Sequence, residues 1–248
     1  MNFSEDFGNR ITKTALSLGV SLSPEQSGQL VRYFDMLAEK NKVMNLTAVT
    51  DEDGVLIRHF ADSLAGVLAS GAGKELTDGK AFSLIDVGTG AGLPGMVLKI
   101  VFPELKVTLF DSLNKRLVFL NEVIEALGLA GITTVHGRAE DTAHDKDHRE
   151  KYDIAVARAV ADLSVLSEYC LPFVKAGGRF VSYKASGSEE EIQKAAKAIT
   201  VLGGKTESVS EYDAGDGVKR LTVTVRKEKQ TPGRFPRKAG TPSKEPIQ

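Results

Sequence analysis

Asp86-Val87-Gly88-Thr89-Gly90-Ala91-Gly92, with Asp111 following 23 residues after Gly88, is the grouping in this chain with the clearest chemical use. Glycines at 88, 90 and 92 remove the Cβ atoms that keep a ligand away from a turning backbone, and Pro94 suits the first turn of a helix. Main-chain N–H groups at such a strand-to-helix turn point at a bound group. An acid placed like Asp111 accepts hydrogen bonds from ribose hydroxyls, about twice as strongly as a neutral acceptor. Its alternative use is to cap the helix that starts near Asn114. A triphosphate loop needs Lys and then Ser or Thr after Gly95, where Met96 and Val97 stand, so that ligand is excluded. A dinucleotide turn counted from Gly88 puts its third small residue at Leu93, whose bulk weakens the NAD reading without excluding it. The remaining class is a nucleoside without a pyrophosphate, S-adenosylmethionine.

These residues need a sheet to hold them. Phe82, Leu84, Ile85 and Val87 form the apolar run of a strand covered on both faces. Strands are expected at 107–111, 133–136, 153–157 and 179–183, alternating with helices at 94–102, 114–127, 162–173 and 188–202. Gly177-Gly178 is expected to turn the chain into the fifth strand. The last two strands, near 205–212 and 219–226, flank Asp213-Ala214-Gly215-Asp216-Gly217, whose composition suits an antiparallel hairpin. The fold class is α/β: a seven-stranded, mostly parallel sheet ending in an antiparallel hairpin, in the Rossmann-like manner of class I methyltransferases. Residues 1–75 read as a helical extension. Phe7, Ile11, Ala15 and Leu18 share one helical face, and Ser23-Pro24-Glu25-Gln26 offers a capping box before Leu30, Phe34 and Leu37. Thr50 with Asp53 opens a third helix carrying Leu56, Phe60, Leu64 and Leu68 at steps of four. Gly71, Gly73 and Gly79 mark the joint. The second region is 76–230, and the third is 231–248, where four prolines and two glycines predict a mobile basic arm.

The 248 residues suffice for a sizeable core, and the lone Cys170 excludes an intrachain disulfide and a cysteine-rich metal site. No signal peptide or membrane-crossing run is visible, so a cytoplasmic, membrane-free protein is expected, in which Asn45-Leu46-Thr47 is a glycosylation sequon only formally. The formal net charge of −1 conceals an asymmetry: from Lys219 onward the chain carries +7, and the first 218 residues carry −8. A basic end on a mildly acidic body suits either a polyanionic partner or a solubilising tail.

Asp86 before the glycines resembles the first motif of Rossmann-like methyltransferases. In order along nearly the whole chain stand Asn45-Leu46-Thr47, Arg58-His59 with Asp62-Ser63, the run from Asp86 to Gly95, Phe110-Asp111-Ser112-Leu113 with Lys115-Arg116, Arg138-Ala139-Glu140, Arg158-Ala159, Lys184 and the arm from Pro232 to Pro242. Together they resemble the bacterial small-subunit ribosomal RNA guanine-N7 methyltransferases, the glucose-inhibited division protein B family. The resemblance implies transfer of a methyl group from S-adenosylmethionine to N7 of a guanine in 16S ribosomal RNA, guanine 527 of the decoding-region loop. It places Gly88, Thr89, Gly90 and Leu93 against the cofactor, with Asp111, Ser112 and Leu113 at its ribose. Ala139 and Glu140 border the adenine, and Arg158 closes the site.

Guanine N7 is an exposed acceptor lone pair, so attack needs no prior deprotonation, and positioning at about 3 to 3.5 Å carries the catalysis. No Asn/Asp-Pro-Pro-aromatic motif follows the fourth strand, and Cys170 sits mid-helix, against amino-group and pyrimidine C5 chemistry. Arg138, Arg158 and Lys184 are the expected substrate-positioning residues. Arg58 and His59, with Arg234, Arg237 and Lys238 of the arm, are expected to meet RNA, and Phe235 to stack on an exposed base. No metal is expected, and the chain is expected to be a monomer. Two other readings stay open: a non-catalytic, RNA-binding ribosome assembly factor with a relic pocket, and an NAD-dependent oxidoreductase.

Overall fold

The computed structural model describes residues 3–78, 82–158 and 161–248; the expectations for Gly79 and Ala159 lie outside them. Seven strands, β1 (Ser83–Val87), β2 (Lys106–Asp111), β3 (Ile132–His136), β4 (Tyr152–Arg158), β5 (Val174–Ala185), β6 (Gly204–Asp213) and β7 (Lys219–Lys227), form one sheet in the order β3-β2-β1-β4-β5-β7-β6. Neighbours from β3 to β5 are parallel, and β7 runs antiparallel to both β5 and β6. The chain order reverses between β1 and β4, and such a switch point opens a crevice at the carboxyl ends of the strands.

Alternation along β1 shows why the strand must be central. Leu84 faces one apolar core, shared with the N-terminal helices α1 (Phe7–Ser17) and α2 (Pro24–Met44). Ile85 and Val87 face the other, which includes Leu163 and Leu166 of α9 (Leu163–Cys170) and Ala195 of α10 (Glu189–Val201). The capping box at Ser23 and Gln26 forms as the sequence predicts, with both reciprocal hydrogen bonds present. Tyr33 of α2 then donates a hydrogen bond to the Ala91 carbonyl at 2.8 Å, so the leading helices brace the glycine loop directly.

Two local expectations are corrected. The helix that follows residue 50 is capped by Asp51, whose side chain accepts from the Gly54 N–H at 2.7 Å, and not by Thr50 with Asp53. A three-residue α3 (Glu52–Gly54) widens into a π-helical turn (Val55–Ala61) before α4 (Asp62–Ala69). Leu56, Phe60 and Leu64 are buried and Leu68 is partly buried against the same core, so the four residues at steps of four are core residues as expected, although the backbone hydrogen-bond register changes along them. Gly177-Gly178 does not turn into β5. It lies within the strand as a bulge, with Val174 opposite Tyr152 and Arg179 opposite Ile154. At Gly178 a Cβ would meet the Asp153 carbonyl at 2.5 Å, a close approach only glycine permits.

The arm is packed, not mobile. Arg149 donates to the carbonyls of Phe235 at 2.9 Å and Thr231 at 2.8 Å, and His144 Nε2 lies 2.8 Å from the Pro236 carbonyl. Phe235 is buried in the second core, which removes it as a platform for a base. Proline-rich composition predicts mobility when the backbone must satisfy itself; here side chains of the folded body supply the missing donors.

Asp86 closes the glycine loop from below, accepting from Thr89 Oγ1 at 2.7 Å and from the Gly95 N–H at 2.8 Å, while its Oδ1 is buried with no partner among the described residues. Burial raises its pKa to about 6, against the pull of those two donors. A carboxyl with a raised native pKa binds more protons folded than unfolded, so this group's contribution to stability falls as pH rises from about 4 to about 6. Asp86→Asn is therefore expected to gain stability over the parent across that window, by no more than about 3 kcal/mol. Denaturant titrations of both proteins at several pH values check this, and a stability difference independent of pH contradicts it.

Candidate functional site

A cleft of about 690 Å³ opens at the carboxyl ends of β1, β2, β3 and β4, within the size range of small-ligand sites. Every residue expected to bind the cofactor lines it: Gly88, Thr89, Gly90 and Leu93 after β1, Asp111, Ser112 and Leu113 after β2, Ala139 and Glu140 after β3, and Arg158 at the end of β4. Gly88 and Gly90 hold φ values of 74° and 60°, the left-handed region that favours glycine. A Cβ on Gly90 would have no protein neighbour closer than 3.9 Å, so it would stand in the cleft itself. The N–H groups of Gly88 and Thr89 are tied to the Phe110 carbonyl at 2.8 and 3.0 Å, which lashes the loop to the end of β2.

Asp111 does not cap the helix α7 (Asn114–Ala126), whose N-cap is Leu113. Its carboxylate, only 2 % exposed, accepts from the Gly90 N–H at 2.9 Å, the Leu113 N–H at 2.8 Å and Arg116 Nη1 at 3.2 Å. Three donors leave about one of its four acceptor directions for a ligand. The same group thus shapes the glycine loop and keeps an acceptor direction open.

A second cleft of about 650 Å³ adjoins the first, and His59 and Arg158 line both. Arg58, Lys184, Lys219 and Arg220 line the second cleft, and Arg138 lines the first from an exposed position. Arg158 is positioned by Asp62, with Nη1 to Oδ2 at 2.7 Å, and by the Arg58 carbonyl at 3.0 Å. Asp62 is a hub that also meets the Tyr212 hydroxyl at 2.8 Å and Arg220 Nε at 3.3 Å. The π-helical turn aims Arg58 and His59 into this space, and such turns are often found at functional sites.

Some expected roles change. His59 is 6 % exposed, with Nε2 2.9 Å from Thr47 Oγ1. Burial, then the Arg158 charge, push its pKa down to about 4, so it is neutral near pH 7 and no cationic clamp for phosphate. Lys184 is held by Glu191 at 2.6 Å and the Ala161 carbonyl at 2.8 Å, which spends its charge on the fold. Arg237 is neutralised by Glu168 at 2.7 Å, while Arg234 and Lys238 are exposed; these three line neither cleft. Thr47 and Tyr169, which line the first cleft, and Asp62 and Tyr212, which line the second, are positions that sequence reasoning gave no role. Asp62 stood within a recognised motif, but nothing in the local pattern singles out Tyr169 or Tyr212. Among the described residues there is no cluster of His, Cys, Asp or Glu able to hold a metal, and no helix long and apolar enough to cross a membrane.

The sheet order, with its final antiparallel hairpin, is that of the Rossmann-like methyltransferase fold. The same fold occurs in a 16S rRNA (adenine(1408)-N(1))-methyltransferase from Catenulisporales acidiphilia, with a TM-score of 0.50 at 15% identity over 63% of this chain and 91% of that one. A family model described as rRNA small subunit methyltransferase G matches residues 26–221. Relatives named ribosomal RNA small subunit methyltransferase G are 50% identical over 234 residues in Acetivibrio thermocellus (94% of this chain, 93% of the relative) and 48% identical over 230 residues in Staphylococcus carnosus (92% and 93%). The chain belongs to the rRNA small subunit methyltransferase G family.

Proposed function

We propose that this chain transfers the methyl group of S-adenosylmethionine to N7 of a guanine in 16S ribosomal RNA, guanine 527 by family resemblance. The observation that carries the reading is the shared wall: a glycine-and-aspartate cleft fit for a nucleoside touches a basic second cleft through Arg158 and His59. Gly88 and Gly90 permit close backbone approach, and Asp111 keeps an acceptor for ribose. When bound, the cofactor supplies an electrophilic methyl on a positive sulfur.

The chain's own residues then have a positioning task. N7 carries a lone pair and loses no proton, so no general base is needed. The arrangement agrees with this, because the Asp62 carboxylate at the wall is occupied by Arg158, Arg220 and Tyr212. Arg158 is close to charge-balanced by Asp62, so its N–H groups can orient a purine edge without strongly opposing the positive charge that develops on the base. Neutral His59 adds no charge there either. Arg58, exposed and without an ion pair among the described residues, supplies positive charge at the rim for the backbone of a flipped-out nucleotide, whereas Lys219 is paired with Glu211 and Arg220 with Asp216, each at 2.8 Å.

The test is methylation of small subunits and of naked 16S RNA from cells lacking the gene, followed by cleavage chemistry specific for 7-methylguanine. Appearance of a single new cleavage site on adding the protein with S-adenosylmethionine is expected. Methyl transfer without that cleavage refutes the N7 assignment, and no transfer to either substrate favours a non-catalytic assembly factor.

A further inference from the structure

Residues 231–248 dock against the two helices that supply one wall of the first cleft. The short α8 (Ala139–Thr142) contributes Ala139 and Glu140, and α9 contributes Tyr169. Glu168, next to Tyr169, is 1 % exposed, and Arg237 grips it three ways: its backbone N–H to Oε1 at 2.7 Å, Nε to Oε1 at 3.0 Å and Nη2 to Oε2 at 2.7 Å. Three residues on, the Gly240 N–H donates to Glu140 Oε1 at 3.0 Å. Gly240 has φ 82°, so that donor is delivered from a conformation other residues rarely adopt. The arm thus holds a carboxylate that lines the cleft, and anchors the residue adjacent to a cleft-lining tyrosine.

We propose that the C-terminal arm is part of the cofactor site: Arg237 and Gly240 act as positioning residues that fix Glu140 and Tyr169, and through them set the affinity for the adenosine moiety. The inference rests on the reading of this cleft as the S-adenosylmethionine site. A glutamate free to rotate must be ordered again each time a ligand binds, and that ordering weakens affinity. With one lone pair held by a main-chain N–H, Glu140 meets the ligand already oriented. Tyr169 faces the same carboxylate: burial and then the Glu140 charge raise the pKa of its hydroxyl.

Calorimetric titration of the full chain with S-adenosylmethionine and with S-adenosylhomocysteine tests this. Arg237→Ala is expected to weaken both ligands roughly tenfold and Arg237→Lys to recover part of the loss. Since Arg237→Ala also leaves Glu168 buried without its partner, Gly240→Ala is the second variant. An added Cβ there meets nothing within 4 Å but strains the backbone that aims the donor, so a smaller loss in the same direction is expected. A double-mutant cycle separates positioning from general destabilisation. If the arm acts through Glu140, Gly240→Ala costs nothing further in a Glu140→Ala background. Affinities within twofold of the parent for both arm variants, or an equal loss from Gly240→Ala in the Glu140→Ala background, overturn the proposal. Failure of the parent chain itself to bind either ligand overturns the cofactor reading, and the inference falls with it.

Discussion

Asp111→Ala is expected to weaken S-adenosylmethionine binding by more than about 100-fold, or about 3 kcal/mol. Two losses combine. The ligand loses a charged acceptor, and the Gly90 N–H loses the partner that holds the turn in its ligand-ready shape. Leu113 N–H and Arg116 lose the same anchor, so the segment that presents Ser112 and Leu113 to the cleft loosens as well. Asp111→Asn separates the contributions. An amide offers one oxygen, and the carboxylate serves N–H groups from Gly90 on Oδ2 and from Leu113 on Oδ1, so one of the two must face an NH2 group. Its expected loss is intermediate, about tenfold. Calorimetry measures the affinities, and thermal melts without ligand show how much of the effect is loop disorder. An unchanged dissociation constant for Asp111→Ala refutes the ribose role.

Much of this site was legible from sequence because its signals are local. The glycine spacing, the apolar run that ends at Val87 and the acid that ends β2 are properties of neighbours in the chain, and all the residues expected around the cofactor do line one cleft. What sequence could not show are pairings made across the fold. His59 on a regular helix with Arg58 reads as a solvated cation; the π-helical turn and the crossing of Thr47 bury it instead. Lys184 at a strand end reads as a free charge until Glu191 of α10 arrives beside it. Composition misjudged the arm most. Its prolines and glycines withhold hydrogen bonds from one another, yet Arg149, Glu168 and Glu140, between 69 and 100 residues distant, provide them. Periodicity says which face of an element is apolar, and it is silent about which polar groups meet.

Arg158→Ala is expected to reduce methyl transfer by about 100- to 1,000-fold and to lower stability by about 3 kcal/mol, effects with different origins. The stability loss comes from Asp62, whose side chain is 10% exposed and would keep only Arg220 and Tyr212 as partners. Those partners set the loss at the low end of what breaking a buried pair costs. The activity loss comes from the wall itself, where, among the described residues, Arg158 and His59 alone line both clefts. The double variant Arg158→Leu with Asp62→Leu tells them apart. Removing both charges is expected to restore part of the stability, since well-packed apolar side chains replace a buried ion pair at little cost while Tyr212 and Arg220 lose Asp62 as a partner, and transfer stays low. Recovered activity in that variant contradicts a positioning role for Arg158. His59 provides an independent readout. Its pKa near 4 lies below the ordinary 6.5, so the unfolded chain binds more protons between those values and the stability it allows is lost as pH falls through them. Arg158 is one cause of that depression, so in Arg158→Ala the His59 pKa moves up and the acid-side slope of stability becomes shallower. Titration of the His59 ring by NMR in parent and variant measures the shift, and an unmoved value shows that the two groups do not interact across the wall.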